Sequence, residues 1–313
     1  MHEVQGVRAN LHAHFSSGAT PILTVRSGET VVVRDVPDVG WGLEPAASAT
    51  SPRRKVDRDP ARDNGPCLCG PIAVEGARPG DTLEVKVESI RTTPWAWTYA
   101  GGGMGSPAWN QSLGLGDAPL TLLRWAIDHE RGHATSHLGN IVPLRPFLGC
   151  IGLTPAAEHA DGWTPRACGG NMDCREITSG TRLFLPVMAA GALLSIGDTH
   201  AAQGDGEVAG TAIECGLEEA RLTLTLHHDR PIRQPRLLTA DAWMTLGFES
   251  TLDDAAATAM SEMLDLMVAE LGMSRAEALA LASAQVSLRI TQVVNPARGV
   301  HAVWPITPRP TRT

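Results

Sequence analysis

The sequence predicts a mainly β protein of the sandwich or barrel kind. Three times a glycine-bearing turn leads into an apolar run: Ser27-Gly28-Glu29-Thr30 before Val31-Val32-Val33, Pro79-Gly80-Asp81-Thr82 before Leu83, Val85 and Val87, and Ser179-Gly180-Thr181-Arg182 before Leu183, Leu185 and Val187. Arg221 to His228 alternates too, with Leu222, Leu224 and Leu226 on one face. Turn-then-strand signals of this kind favour sandwiches and barrels over a parallel sheet.

The other elements follow in chain order. Ala46 to Gly65 is rich in Pro, Arg and Asp without periodicity and reads as a long exposed loop. Glu75, flanked by Ile72, Ala73 and Val74, has the apolar setting of a paired or functional acid. Gly101-Gly102-Gly103-Met104-Gly105 is a flexible stretch, a surface linker or a lid. Leu193 to His200 reads as a strand that begins in the core and ends in polar residues. Asp253 to Leu271 places Met260, Met263, Leu264, Met267, Val268 and Leu271 on one helical face, with Gly272 as the stop. Ser274 with Glu277 is a capping box for a second helix through Ala278–Ala284, and Val286 to Ile290 returns to strand alternation. We divide the chain into a β-rich N-terminal part (1–150, with the long loop 46–66), a β-rich catalytic core (151–235) and an α/β C-terminal part (236–313).

Composition excludes several classes. Hydrophobic residues make up 43% of the 313, so the chain can bury a core and is not a disordered one. A net charge of −8 with mixed signs and no basic stripe argues against a nucleic-acid partner. No apolar leader or run of ~20 apolar residues is present, so no membrane partner is expected and we expect a cytoplasmic protein. The six cysteines lack zinc-finger spacing and read as buried or incidental thiols. There is no Gly-x-Ser-x-Gly elbow, Walker loop or dinucleotide fingerprint. Asp128-His129-Glu130-Arg131-Gly132-His133 falls one position short of a His-Glu-x-x-His helix and reads as a surface feature.

Chemistry concentrates between Cys168 and Glu214. Alternation puts Asp198 and His200 on one strand face, and Asp173 arrives from the turn Gly169-Gly170-Asn171. A catalytic zinc site takes three protein ligands, drawn from His and Asp/Glu where Cys is absent, and keeps a place for water. Asp173, Asp198 and His200 are therefore the candidate metal ligands. Glu214, ahead of Glu207, is the candidate proton carrier, and Asp205 is a further catalytic candidate that reads equally as a turn residue between Gly204 and Gly206. Backbone N–H groups around Gly170 and Asn171 are candidates for holding an oxyanion.

The blocks Gly169–Asp173 and Gly191–Glu207, with Pro21–Val31, Gly70–Asp81, Thr211–Glu214 and Gly299–Val303 in the same order, resemble the acetamidase/formamidase family. The resemblance spans nearly the whole chain. It implies a cytoplasmic hydrolase of linear carboxamides that releases ammonia, with lactams as the alternative substrates. It also implies jelly-roll or barrel-like β units with a smaller α/β part near the C-terminus, a divalent metal, zinc first, and a homo-oligomer. The stretch around His12 and His14 departs from the pattern, and it and Ala46–Pro66 are both placed where they could line the pocket. A non-catalytic metal-binding β protein is the rival from another class.

Overall fold

The computed structural model describes residues 1–43, 56–59, 61–102 and 105–306. The fold is mainly β, with the longer helices near the C-terminus. One hydrogen-bonded sheet system takes in 18 strands, and a two-stranded ribbon joins His14–Phe15 to Ala160–Asp161. Among the described strands pairing is antiparallel except where His2–Gln5 runs along Glu29–Val36 and Leu23–Val25 along Leu68–Val74, and a single bridge from Gly206 to Gln292 is parallel. So many strands in one system must curl and cover themselves, which places a large apolar core inside.

The three turn signals all open strands: Glu29–Val36, Thr82–Ala100 and Arg182–Pro186. The long strand Glu214–His227 lies between Glu29–Val36 and Thr82–Ala100 and pairs with both. Leu217, Leu222 and Leu224 enter the core with Val31, Val33, Val85 and Leu183. Strands from 1–150, 151–235 and 236–313 pair with one another: Leu68–Val74 with Leu194–His200, and Arg182–Pro186 with Arg236–Leu238. Glu75 lies exposed in the turn after Leu68–Val74, because the strand ends one residue before it, so the apolar flank did not mark a buried acid. His129 sits in the turn before His133–Ser136 and contacts the Thr92 carbonyl, a structural placement. All six cysteines are buried and free. Most of the predicted loop 46–66 and part of the glycine stretch read as a surface linker or a lid (Gly103, Met104) lie outside the described residues. No described helix is long and apolar enough to cross a membrane.

The helix Leu252–Leu271 begins at Thr251, whose Oγ1 accepts the Asp254 N–H, and stops at Gly272 in the left-handed region. Its most buried face is Ala255, Ala259, Met263 and Met267, an i, i+4 stripe laid on the strands Ala242–Glu249 and Arg298–Pro305. The alanines matter because the sheet comes very close. A Cβ on Gly247 would stand 2.2 Å from the Ala255 carbonyl oxygen. Glu262, on the same helix, is buried and bound by Arg233 and Arg236. The capping box of Ser274 and Glu277 opens Arg275–Gln285 as the sequence predicts. The methionine stripe is thus packing surface. Met267→Ala is expected to cost ~2–5 kcal/mol, seen as a lower urea midpoint with an unchanged slope.

Candidate active site

The strand Leu194–His200 is the hub. It pairs with Phe147–Gly152 on one side, and its end meets Glu214–His227, with His200 directly opposite Glu214. Phe147–Gly152 also pairs with Gly169–Asn171, which delivers Asp173 just beyond that short strand. Sheet register therefore gathers residues that are distant in sequence.

Asp173, Asp198, Glu207 and Glu214 surround His200, and all five are buried. Asp173, His200 and Glu207 offer ligand atoms within 4.8 Å of one another, as do Asp198, His200 and Glu214. His200 Nε2 lies 3.1 Å from Asp198 Oδ1 and 3.0 Å from Glu214 Oε2. Its Nδ1 lies 3.1 Å from Gln203 Oε1, and Gln203 Nε2 donates to the Asp173 carbonyl at 2.8 Å. Phe147 stands edge-on to the imidazole at 4.8 Å. Asn295, from the C-terminal side, donates to both Asp173 Oδ2 (2.5 Å) and the Asn171 carbonyl (3.1 Å).

Two geometric features mark the cluster as constrained. Among the described residues seven non-glycine residues have positive φ, and three are Asp173, Asp198 and Glu207. Such backbone is costly for a side chain with a Cβ and persists where surrounding structure imposes it. The second is Gly149, where a Cβ would stand 2.8 Å from both Asp173 Oδ1 and His200 Cε1.

Burial pushes the Asp173 carboxyl up to about 7, with the Asp198 charge adding to it and His200 opposing. Burial likewise takes Glu214 up to about 8, opposed by His200, and Glu207 well above the usual carboxylate range, with Asp173 adding to it. For His200 burial works against the charge, but Glu214 and Asp198 outweigh it and raise the imidazole well above its ordinary value. Asp173 Oδ1 and Asn171 Oδ1 are buried with no hydrogen-bond partner. The unpartnered Asp173 Oδ1, beside an imidazole and three further carboxylates, fits a divalent cation.

A cavity of about 640 Å³ opens on this cluster, with Asn171, Asp198, Glu207, Glu214 and Asn295 in its lining. Other sequence candidates lie elsewhere. Asp205 is held by the Arg289 guanidinium through two 2.8 Å bonds and by Arg175 at 3.0 Å. Gly170 is paired opposite Ile151 in the sheet. His12 and His14 line a different cavity with Ser195, which alternates to the face of Leu194–His200 opposite Asp198 and His200. Of the two stretches expected near the pocket, the Ala46–Pro66 one is represented by Arg58 and Gly65. A third buried group, Cys174, Glu176 and His301, is an ion network: Arg289 lies 2.8 Å, Arg175 3.5 Å and Arg145 3.7 Å from Glu176 Oε1.

The sequence profile of the acetamidase/formamidase family matches residues 3–167 and 156–306. The chain belongs to the acetamidase/formamidase family. An acetamidase of known structure from Bacillus halodurans superposes with a TM-score of 0.84 at 30% identity over 97% of both chains. An acetamidase of Mycolicibacterium smegmatis is 29% identical over 225 residues, 53% of this chain and 54% of that protein. The match thus spans about half the length of that curated relative. A γ-lactamase from Delftia acidovorans shares the fold, with a TM-score of 0.65 at 21% identity over 97% of this chain and 92% of that one.

Within this acetamidase/formamidase-family site, sequence reading missed Gln203, Asn295, Gly149 and Phe147. Gln203 stood inside the Gly191–Glu207 block and could have been found there as a partner for His200. Asn295 carried only an Asn-Pro turn signal. Nothing local marked Gly149 or Phe147.

Proposed function

We propose that this chain is an amidohydrolase that cleaves the C–N bond of small carboxamides, giving a carboxylate and ammonia. The observation that carries the reading is the gathering of Asp173, Asp198, Glu207 and Glu214 around His200 beneath an open cavity. Asp173, Asp198 and His200 would hold a divalent cation, with zinc the ion we assign to this donor set. When bound, such a cation supplies Lewis acidity to a carbonyl and acidifies a water.

The chain's own residues do the remainder. Glu214 Oε1 accepts the Ala212 N–H at 2.7 Å, which fixes the carboxylate and leaves Oε2 beside His200 Nε2. In this reading Oε2 takes a proton from the attacking water and returns it to the departing nitrogen. Glu207 is the second carrier. Asn171 Nδ2 is used on Asp173 (3.2 Å), so its unpartnered Oδ1 is an acceptor suited to the substrate N–H₂. Gln203 accepts the Nδ1 proton of His200 and so presents Nε2 to the site. We take the protein to be a cytoplasmic homo-oligomer.

Ammonia release from acetamide and formamide, run beside ring opening of a γ-lactam and elemental analysis, tests the reading. Glu214→Gln is expected to keep the ion and lose ~10²–10⁴ in kcat. Full turnover in that variant, or no turnover of any amide by the ion-loaded parent, would overturn the assignment.

A further inference from the structure

The floor of the cavity suits an amide group, but the space above it is far larger than acetamide needs. Acetamide has four heavy atoms. At the ~30 Å³ that one water takes in the liquid, it fills roughly 120 Å³. The cavity is about 640 Å³, within the ~300–1,000 Å³ range of pockets that enclose ligands of drug size.

Above the acids the described wall carries aromatic and aliphatic side chains, with Arg58, Arg298, Ser106 and Thr211 set among them. Trp97 and Tyr99 line it from one strand, with ring centroids 4.9 Å apart, and they pack with Leu43 in a cluster separate from the main core. Trp163 lines it too, and remains 40% exposed. Its loop is fixed. Asp161 Oδ1 accepts the backbone N–H of Trp163 at 3.0 Å and of Thr164 at 2.8 Å, and Arg166 anchors the same carboxylate. A tryptophan held open to solvent beside Trp97 and Tyr99 is preformed surface for an apolar group.

This inference rests on the amidohydrolase reading above. There the leaving group is ammonia, so the added bulk can sit only in the acyl part. We propose that the upper cavity is a subsite for an aryl or arylalkyl acyl group, and that primary amides of such acids are preferred over acetamide and formamide. The reaction balances without a further reactant. Water adds its oxygen to the carbonyl carbon, the C–N bond breaks, and the nitrogen leaves as ammonia with a proton from that water.

The test is ammonia release by the purified ion-loaded protein across acetamide, butanamide, hexanamide, phenylacetamide and 3-phenylpropanamide. We expect kcat/KM to rise along the series and to reach ~10²-fold above acetamide for the phenyl substrates. Trp163→Ala should pull the phenylacetamide-to-acetamide ratio down about tenfold. Phenylacetate should quench tryptophan fluorescence in the parent and do so more weakly in the variant. Acetamide turnover that falls with acyl size, or a ratio untouched by Trp163→Ala, would overturn the subsite and leave the amidase reading standing. No ammonia from any of these amides would bring down both.

Discussion

His200→Ala is expected to lose most of its bound ion and nearly all turnover, a fall of ~10³-fold or more in kcat/KM. Every part of the cluster refers to this imidazole. It lies 3.1 Å from Asp198, 3.0 Å from Glu214 and 3.1 Å from Gln203. Without it four buried carboxyl groups would face one another across the space the imidazole fills. The variant also leaves the part-buried Gln203 Oε1 without its donor, at a cost of about 1–3 kcal/mol, so the thermal midpoint should fall as well. Ion content by elemental analysis separates a lost ligand from a lost fold, provided circular dichroism shows the sheet retained. A folded variant that keeps a full complement of ion would refute the ligand role of His200.

Gly149→Ala is expected to disturb the Asp173–His200 geometry directly. The new Cβ would meet Asp173 Oδ1 and His200 Cε1 at 2.8 Å and the Asp198 carbonyl oxygen at 2.9 Å. The neighbours are a carboxylate, an imidazole and backbone, none a flexible tip that can step aside. Overpacking of this kind costs ~1–3 kcal/mol, and a shift of about 1 Å in a reacting geometry can cost ~10²-fold in rate. We therefore expect a folded, mildly destabilised protein with weaker ion binding and a rate lower by at least that factor. Parent-like kinetics in Gly149→Ala would show that Asp173 and His200 need not approach one another across this residue.

The strands and helices were legible where a periodic pattern met a turn or a cap. The three Gly turns and the Ser274–Glu277 box all marked real boundaries. Leu194–His200 was legible as a strand, and the proximity of Asp198 to His200 followed from alternation. The arrival of Glu214 opposite His200 was not legible, because register between separate strands is written in no local pattern. Asn295 was hidden for the same reason, since it meets Asp173 across 122 positions of sequence. Glu75 misled because an apolar flank looks alike whether the next residue is inside the strand or just past its end. Asp205 looked alike as turn residue and as site residue, and its arginine partners Arg175 and Arg289 come from separate segments.

The clamp that Asn295 places on Asp173 has a consequence for how the molecule is made. A chain emerges from the ribosome N-terminus first. The acids and the imidazole are all synthesised before the amide that fastens one of them. A nascent chain can close much of the sheet while Asp173 still lacks its holder. Asn295→Ala, which removes that holder and keeps the last strand, is expected to bind a divalent cation more weakly than the parent, as read by elemental analysis.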